Sequence, residues 1–212
     1  MKFLTNSAFS TTLLFVLMVS YSGIAVAQED TPRFNQLKAM FEDGTVFVAD
    51  FNHVFEDAFT GERQETDARI TIGKDRYRIE NDLQAVVVDG ETSVVYDATK
   101  NRVITSDYVE EEDDFAPSRM LQGVDESYTV TEQQAGNETV LELITDDPFA
   151  IFTSVTIRLS ENLHPTEIYA VDQAGNVLTT RFRNGFFDDP AEGLFELSIP
   201  DDAEVIDLRY DS

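Results

Sequence analysis

His53, His164 and 41 acidic residues are the side chains of this 212-residue sequence from which a catalytic or metal site would have to be built. A metal site needs ligands at short, fixed spacing, and the two histidines stand far apart with no ligand pattern around them. Both are read as structural or surface residues. Asp146-Asp147 and Asp188-Asp189 are paired carboxylates, the kind that divide acid and base work between them. Each pair precedes a proline (Pro148, Pro190) and reads as a turn. Asp97, Asn101 and Asp107 lack the loop glycine and terminal Glu of a calcium-binding loop. The acidic run 110–114 reads as a solvated loop. Glycoside hydrolysis needs two facing carboxylates, and no pattern selects a pair. Cysteine is absent, which excludes a thiol nucleophile. No Gly-x-Ser-x-Gly elbow and no phosphate-cradling glycine loop occurs. The expectation is a protein that is not an enzyme and holds no cofactor or metal.

The charge and the first residues bound the partners and the compartment. A formal charge of −26 disfavours nucleic acid, because phosphate binding needs a basic surface. Lys2, the apolar run from Leu13 to Val26 and Ala25-Val26-Ala27 have the layout of a cleaved secretory leader, here 1–27. Residues 28–212 then form one exported domain, without disulfides and expected to be a monomer.

The elements that must position any site follow a simple order. Thr31-Pro32 opens a helix with Phe34, Leu37 and Phe41 at helical spacing, and Gly44 stops it. From Thr45 onward the pattern is β: VFVADFNHVF (46–55), Ile70 and Ile72, Tyr77 and Ile79. Three strands in AVVVDGETSVVYDATKNRVI (85–104) turn at Asp89-Gly90 and at 97–101. A segment around Pro117, Met120 and Leu121 reads as one or two helical turns closed by Gly123. Strands resume at 127–131, 139–145, 153–159, 166–172, 176–182 and LFELSIP (194–200), with a last one at 205–208. Ten or more short strands predict one antiparallel sheet, curled or closed. With 16 Phe, 7 Tyr and no Trp, and with Val86–Val88 and Val94–Tyr96 apolar without alternation, both faces of the middle strands look dry. An internal apolar cleft and an ordinary sandwich core both fit that pattern.

The order of features resembles the LolA family of periplasmic lipoprotein carriers and its LolA-like chaperones. FVADFNHVF (47–55) is similar to the family's opening strand, with Asn52-His53 in place of a Gln. ARITIGKDRYRIE (68–80) is similar to its second hairpin, and VVVDGETSVVYDATKNRVI to its "DG-(K/E)-T-x-W-x-Y" signature, with Val94 or Val95 where Trp is usual. APSRML (116–121) resembles the lid segment, and HPTEIYAVDQAGNVLTTRF and LFELSIPDDAEVID resemble the ending.

The resemblance implies a mainly β fold with short helices, a curved antiparallel sheet forming an incomplete, half-open β-barrel under an α-helical lid. It implies an apolar cavity for acyl chains, with Phe47, Phe51, Ile72, Tyr77, Ile79, Val86, Val88, Val95, Ile157, Ile168 and Phe182 as its lining. Phe34, Leu37, Phe41, Met120 and Leu121 would form the lid. Members with an Arg-Pro pair latch the lid by the Arg. Here Lys74-Asp75 stands nearest, and Arg76 and Arg78 are the other candidates. The implied partners are acylated lipoproteins, an inner-membrane ABC-type releasing complex and an outer-membrane acceptor. The alternatives are a lipid-binding sensor or regulator of the same fold, or a carrier of another amphiphilic lipid.

Overall fold

Pro32 fixes the first turn of helix α1 (Pro32–Glu42), as Thr31-Pro32 predicts, and the stripe Phe34, Leu37, Phe41 is buried. Thr31 stands at the N-cap, but its side chain makes no capping bond. The carboxylate of Glu132 supplies it from a distant strand. Its oxygens accept from the backbone N–H of Arg33 and of Phe34, each at 3.0 Å. A carboxylate at a helix N-terminus satisfies orphan donors and opposes the helix dipole. Glu132→Ala is expected to lower unfolding free energy by about 1–2 kcal/mol in urea denaturation, and Glu132→Gln by less.

The computed structural model describes residues 30–109, 113 and 116–209. The expected leader (1–27), Phe115 and residues 110–112 and 114 of the acidic run lie outside the described residues. After α1 the chain forms β1 (Val46–Glu56), β2 (Arg63–Ile72), β3 (Tyr77–Glu80), β4 (Gln84–Val88), β5 (Thr92–Asp97) and β6 (Arg102–Asp107). Helix α2 (Pro117–Gln122) follows. Then come β7 (Thr129–Ala135), β8 (Glu138–Ile144), β9 (Phe152–Leu159), β10 (Pro165–Asp172), β11 (Val177–Asp188) and β12 (Glu204–Asp207). All twelve strands lie in one sheet, ordered β12-β6-β5-β4-β3-β2-β1-β11-β10-β9-β8-β7. The edges β12 and β7 do not pair, so the curved sheet stays open as a half-barrel. Among the described residues no helix is long and apolar enough to cross a membrane.

Curvature has a local cause at the sheet's centre. The expected strand 176–182 continues to Asp188, and its register against β1 shifts between Val48 and Asp50. Asn184 (φ 55°) and Gly185 fill the irregularity, and Asn184 Nδ2 donates to Asp50 Oδ2 at 3.0 Å. Asn-Gly is turn chemistry in sequence, yet here it makes a β-bulge, which bends a strand and increases its twist. Gly185 has no alternative. A Cβ there would sit 2.7 Å from the Phe47 ring.

Register assigns the two faces. Phe47, Ala49, Phe51, His53 and Phe55 share one side of β1, opposite Ile72, Ile70, Ala68, Thr66 and Gln64 of β2. The main core lies on this concave side, where Phe34, Leu37, Phe41, Met120 and Leu121 of the helices join Phe47, Ile70, Ile72, Leu141, Phe152 and Ile157. Val86 and Val95 fall on the same side through the row Ile70–Ile79–Val86–Val95–Ile104. Val87 lies on the convex side, yet only 4% of it is exposed. The segment 189–203 between β11 and β12 is tied to that side. Arg78, which pairs with Val87 in register, donates to the Glu196 carbonyl at 2.9 Å, and Arg76 stacks on the Phe195 ring.

That segment corrects one expectation. LFELSIP (194–200) is not a strand. Arg78 at the Glu196 carbonyl and Arg76 on the Phe195 ring tie it to the convex side of the sheet, and it joins no ladder. The chain then enters β12, which pairs with β6 in parallel.

Candidate functional site

Between the concave face and α2 lies a cavity of about 430 Å³, within the range of small-molecule sites. Its floor is built from rows fixed by strand register. Ala68, Phe51 and Phe182 form one row; Thr66, His53 and Thr180 the next; Gln64, Phe55 and Leu178 the third. Ile70, Ile79 and Ile168 extend the apolar wall, and Pro117 and Met120 of α2 close one side. The side at Gln64 and Thr66 is exposed, so the cavity is open there. None of the lining residues is Asp, Glu, Lys or Arg. No group of three or more His, Asp or Glu gathers as a metal site among the described residues.

The structure separates the residues expected at the site. Phe51, Ile79, Ile168, Phe182 and Met120 line the cavity. Phe47, Ile72 and Ile157 are fully buried in the packed core, with Phe34, Leu37, Phe41 and Leu121. Tyr77 and Val88 gather around Ala116 in a smaller cluster, with Val86 against it. Val95 is half-buried in the row that leads from Ile79 toward the sheet edge. Sequence reasoning does not single out His53, Phe55, Gln64, Thr66, Ile70, Leu178, Thr180 or Pro117 for the cavity. A signal for His53 is present, since it alternates with Phe51 and Phe55 on one face of β1.

The lid is held by a few polar links around a close apolar contact. Gly123 (φ 108°) closes α2, and a Cβ there would lie 3.0 Å from the Phe34 ring, so the two helices interlock at this glycine. Val124 follows at φ 62°, a strained conformation for a β-branched residue. Its N–H bonds the Arg119 carbonyl at 2.8 Å. The Tyr77 hydroxyl donates to Asp113 Oδ2 at 2.7 Å and ties down the approach to α2. Burial, and then that bond, push the Tyr77 hydroxyl well above the ordinary phenol range. Among the three latch candidates, Lys74 touches both helices. Its ammonium pairs with Glu42 of α1 at 2.7 Å, and its carbonyl accepts from the Gln122 side chain of α2. Arg76 and Arg78 serve the convex side. The Lys74–Glu42 pair is exposed, so salt screens it and it opens readily.

His53 is the one titratable side chain in a wall of apolar and neutral groups. Its Nδ1 lies 2.8 Å from Thr180 Oγ1, and burial lowers its pKa from 6.5. The folded protein therefore binds fewer protons at this ring than the unfolded chain once pH falls below 6.5. Its stability contribution is complete above that value and declines as pH drops through the lowered pKa. The wild type is expected to lose stability relative to His53→Leu over this window, at no more than about 1.4 kcal/mol per pH unit. Parallel urea-denaturation curves for the two proteins from neutral to mildly acid pH measure the difference.

Residues 45–198 match the family described as "Outer membrane lipoprotein carrier protein LolA". No curated protein matches the sequence. Among solved structures, an uncharacterized conserved protein from Thermus thermophilus is 12% identical, with a TM-score of 0.52 over 82% of this chain and 98% of that one. The LolA superfamily protein NE2245 from Nitrosomonas europaea is 12% identical, with a TM-score of 0.43 over 78% of this chain and 96% of that one. The first of these shares the fold. With the family match spanning the cavity floor, the lid segment and the bulged centre of the sheet, the chain belongs to the LolA outer membrane lipoprotein carrier family.

Proposed function

We propose that this protein is a periplasmic carrier that takes the acyl chains of lipoproteins into its cavity and moves them from the inner to the outer membrane. The observation that carries this reading is the open apolar cavity under α2, with aromatic and aliphatic walls and no charged residue. Each buried methylene gains roughly 0.8 kcal/mol, so an acylated protein does not cross water without a removable apolar lining. Pro117 and Met120 lie on a short, six-residue helix beside the open mouth, which suits a wall that must let cargo in and out. The donor would be an ABC-type releasing complex and the recipient an outer-membrane acceptor.

The test uses the leaderless protein and inner-membrane vesicles from its own host carrying a labelled triacylated lipoprotein. With ATP, label is expected to move into a soluble one-to-one complex seen by native mass spectrometry. Label that stays with the vesicles at every carrier concentration would sink the proposal. A complex with free lipid and no lipoprotein would move the protein to carriage of another amphiphile.

A further inference from the structure

We propose that His53 is a hydrogen-bond donor on the cavity floor that recognises the ester carbonyl at the head of a fatty acyl chain. The assignment rests on the carrier reading above and narrows it to a ligand class. A cavity meant only for hydrocarbon gains nothing from an imidazole. Here one is placed in the middle row, between Phe51 and Phe55 along β1 and between Thr66 and Thr180 across the strands. It lines the cavity, and its neighbours there are otherwise aromatic, aliphatic or neutral polar.

The tautomer follows from the hydrogen bonds. The Thr180 hydroxyl has no acceptor among the described residues other than His53 Nδ1, at 2.8 Å. Donating to Nδ1 satisfies the hydroxyl and leaves the single proton of the neutral ring on Nε2. Nε2 has no partner among the described residues, and it is not sealed away as a buried, unsatisfied atom. Burial also keeps the ring neutral at physiological pH. A neutral N–H in an apolar wall suits an uncharged carbonyl oxygen. Leaving it unpaired against a purely hydrocarbon guest would forfeit its hydrogen bond to water.

Three probes compete with a fluorescent acyl dye for the purified protein: dioctanoylglycerol, its diether analogue dioctylglycerol, which lacks both carbonyls, and decanoate. The ratio of diester to diether affinity is measured for the wild type, His53→Leu and His53→Gln. His53→Leu is expected to reduce that ratio by roughly three- to tenfold while still binding the diether. His53→Gln keeps a donor and is expected to retain part of the preference. A ratio unchanged in His53→Leu overturns the proposal. Binding of decanoate alone by the wild type overturns the ester assignment in favour of a free acid. A wild type that binds none of the three probes fails the carrier reading itself, which is a separate outcome. Thermal melting of each variant without probe checks that the fold is retained.

Discussion

Phe47→Ala is expected to lower the unfolding free energy by about 3–5 kcal/mol, the range for removing a large buried aromatic side chain. Phe47 has no exposed surface. Its ring packs edge-on to Phe182 at 5.6 Å and against Phe187 at 5.3 Å. The His164 ring lies 6.5 Å away, and the backbone of Gly185 stands close enough that any Cβ would collide. The strand pair β1–β11 continues on both sides of the bulge, so the site has little freedom to collapse. The reverse change, Gly185→Ala, overfills the same space and is expected to lose about 1–3 kcal/mol. The two changes should not add. Gly185→Ala is expected to be less harmful in the Phe47→Ala background, because the truncated side chain vacates the colliding ring position. Urea denaturation of the wild type, each single variant and the double variant measures the coupling. A loss below about 1 kcal/mol for Phe47→Ala would show that the bulge does not depend on this ring.

Ile79→Asp is expected to reduce acyl-ligand affinity by at least about tenfold, with a much smaller change in melting temperature. Ile79 is half-buried and lines the cavity where it meets the row Val86–Val95. In the free protein a carboxylate there is reached by water and keeps most of its hydration. With a guest in the cavity that hydration is lost and no basic lining residue replaces it. The penalty therefore falls on the loaded state. Dye displacement at neutral pH reads the affinity, and lowering pH toward the carboxyl's titration range should restore part of it. Unchanged affinity would remove Ile79 from the binding surface.

Patterns with one strong physical cause are readable in the sequence. The stripe Phe34, Leu37, Phe41 has helical spacing, and it packs as one face of α1. Gly123 terminates α2 and takes the left-handed conformation that favours glycine. The strands around Asp89-Gly90 fall into place because turn chemistry and β-branched residues agree there. Expectation and structure part where one local pattern serves two structures. The strand expected to end at 182 runs on to Asp188, because Asn184-Gly185 bends it without breaking it. LFELSIP alternates like a strand, yet its ties to the sheet run through Arg78 and Arg76 and it joins no ladder. The capping Glu132 has no local signature, because it acts across 98 residues on the N–H of Phe34. At the cavity, apolar strand positions fall on both its wall and the solid core. Phe51 and Phe47 look alike in sequence, yet Phe51 lines the cavity while the rings of Phe182, Phe187 and His164 pack around Phe47. His53 has no metal-binding or catalytic partner at short spacing, and its partner is a threonine 127 residues away.

The sheet's central seam joins β1, the first strand made, to β11, the eleventh. A chain emerging N-terminus first can zip β1 to β6 as a local meander. β1 then presents its other edge unpaired until residues 177–188 arrive, and β12 reaches β6 only after that. Such long-range pairing must overcome loop-closure entropy before its contacts reward it, so the barrel half cannot close early or quickly. The cavity floor straddles that seam, with Phe51 and His53 on one side and Phe182 and Thr180 on the other. A partly synthesised chain therefore carries half a floor and no pocket, and its ability to hold a lipid arises in one late step of folding.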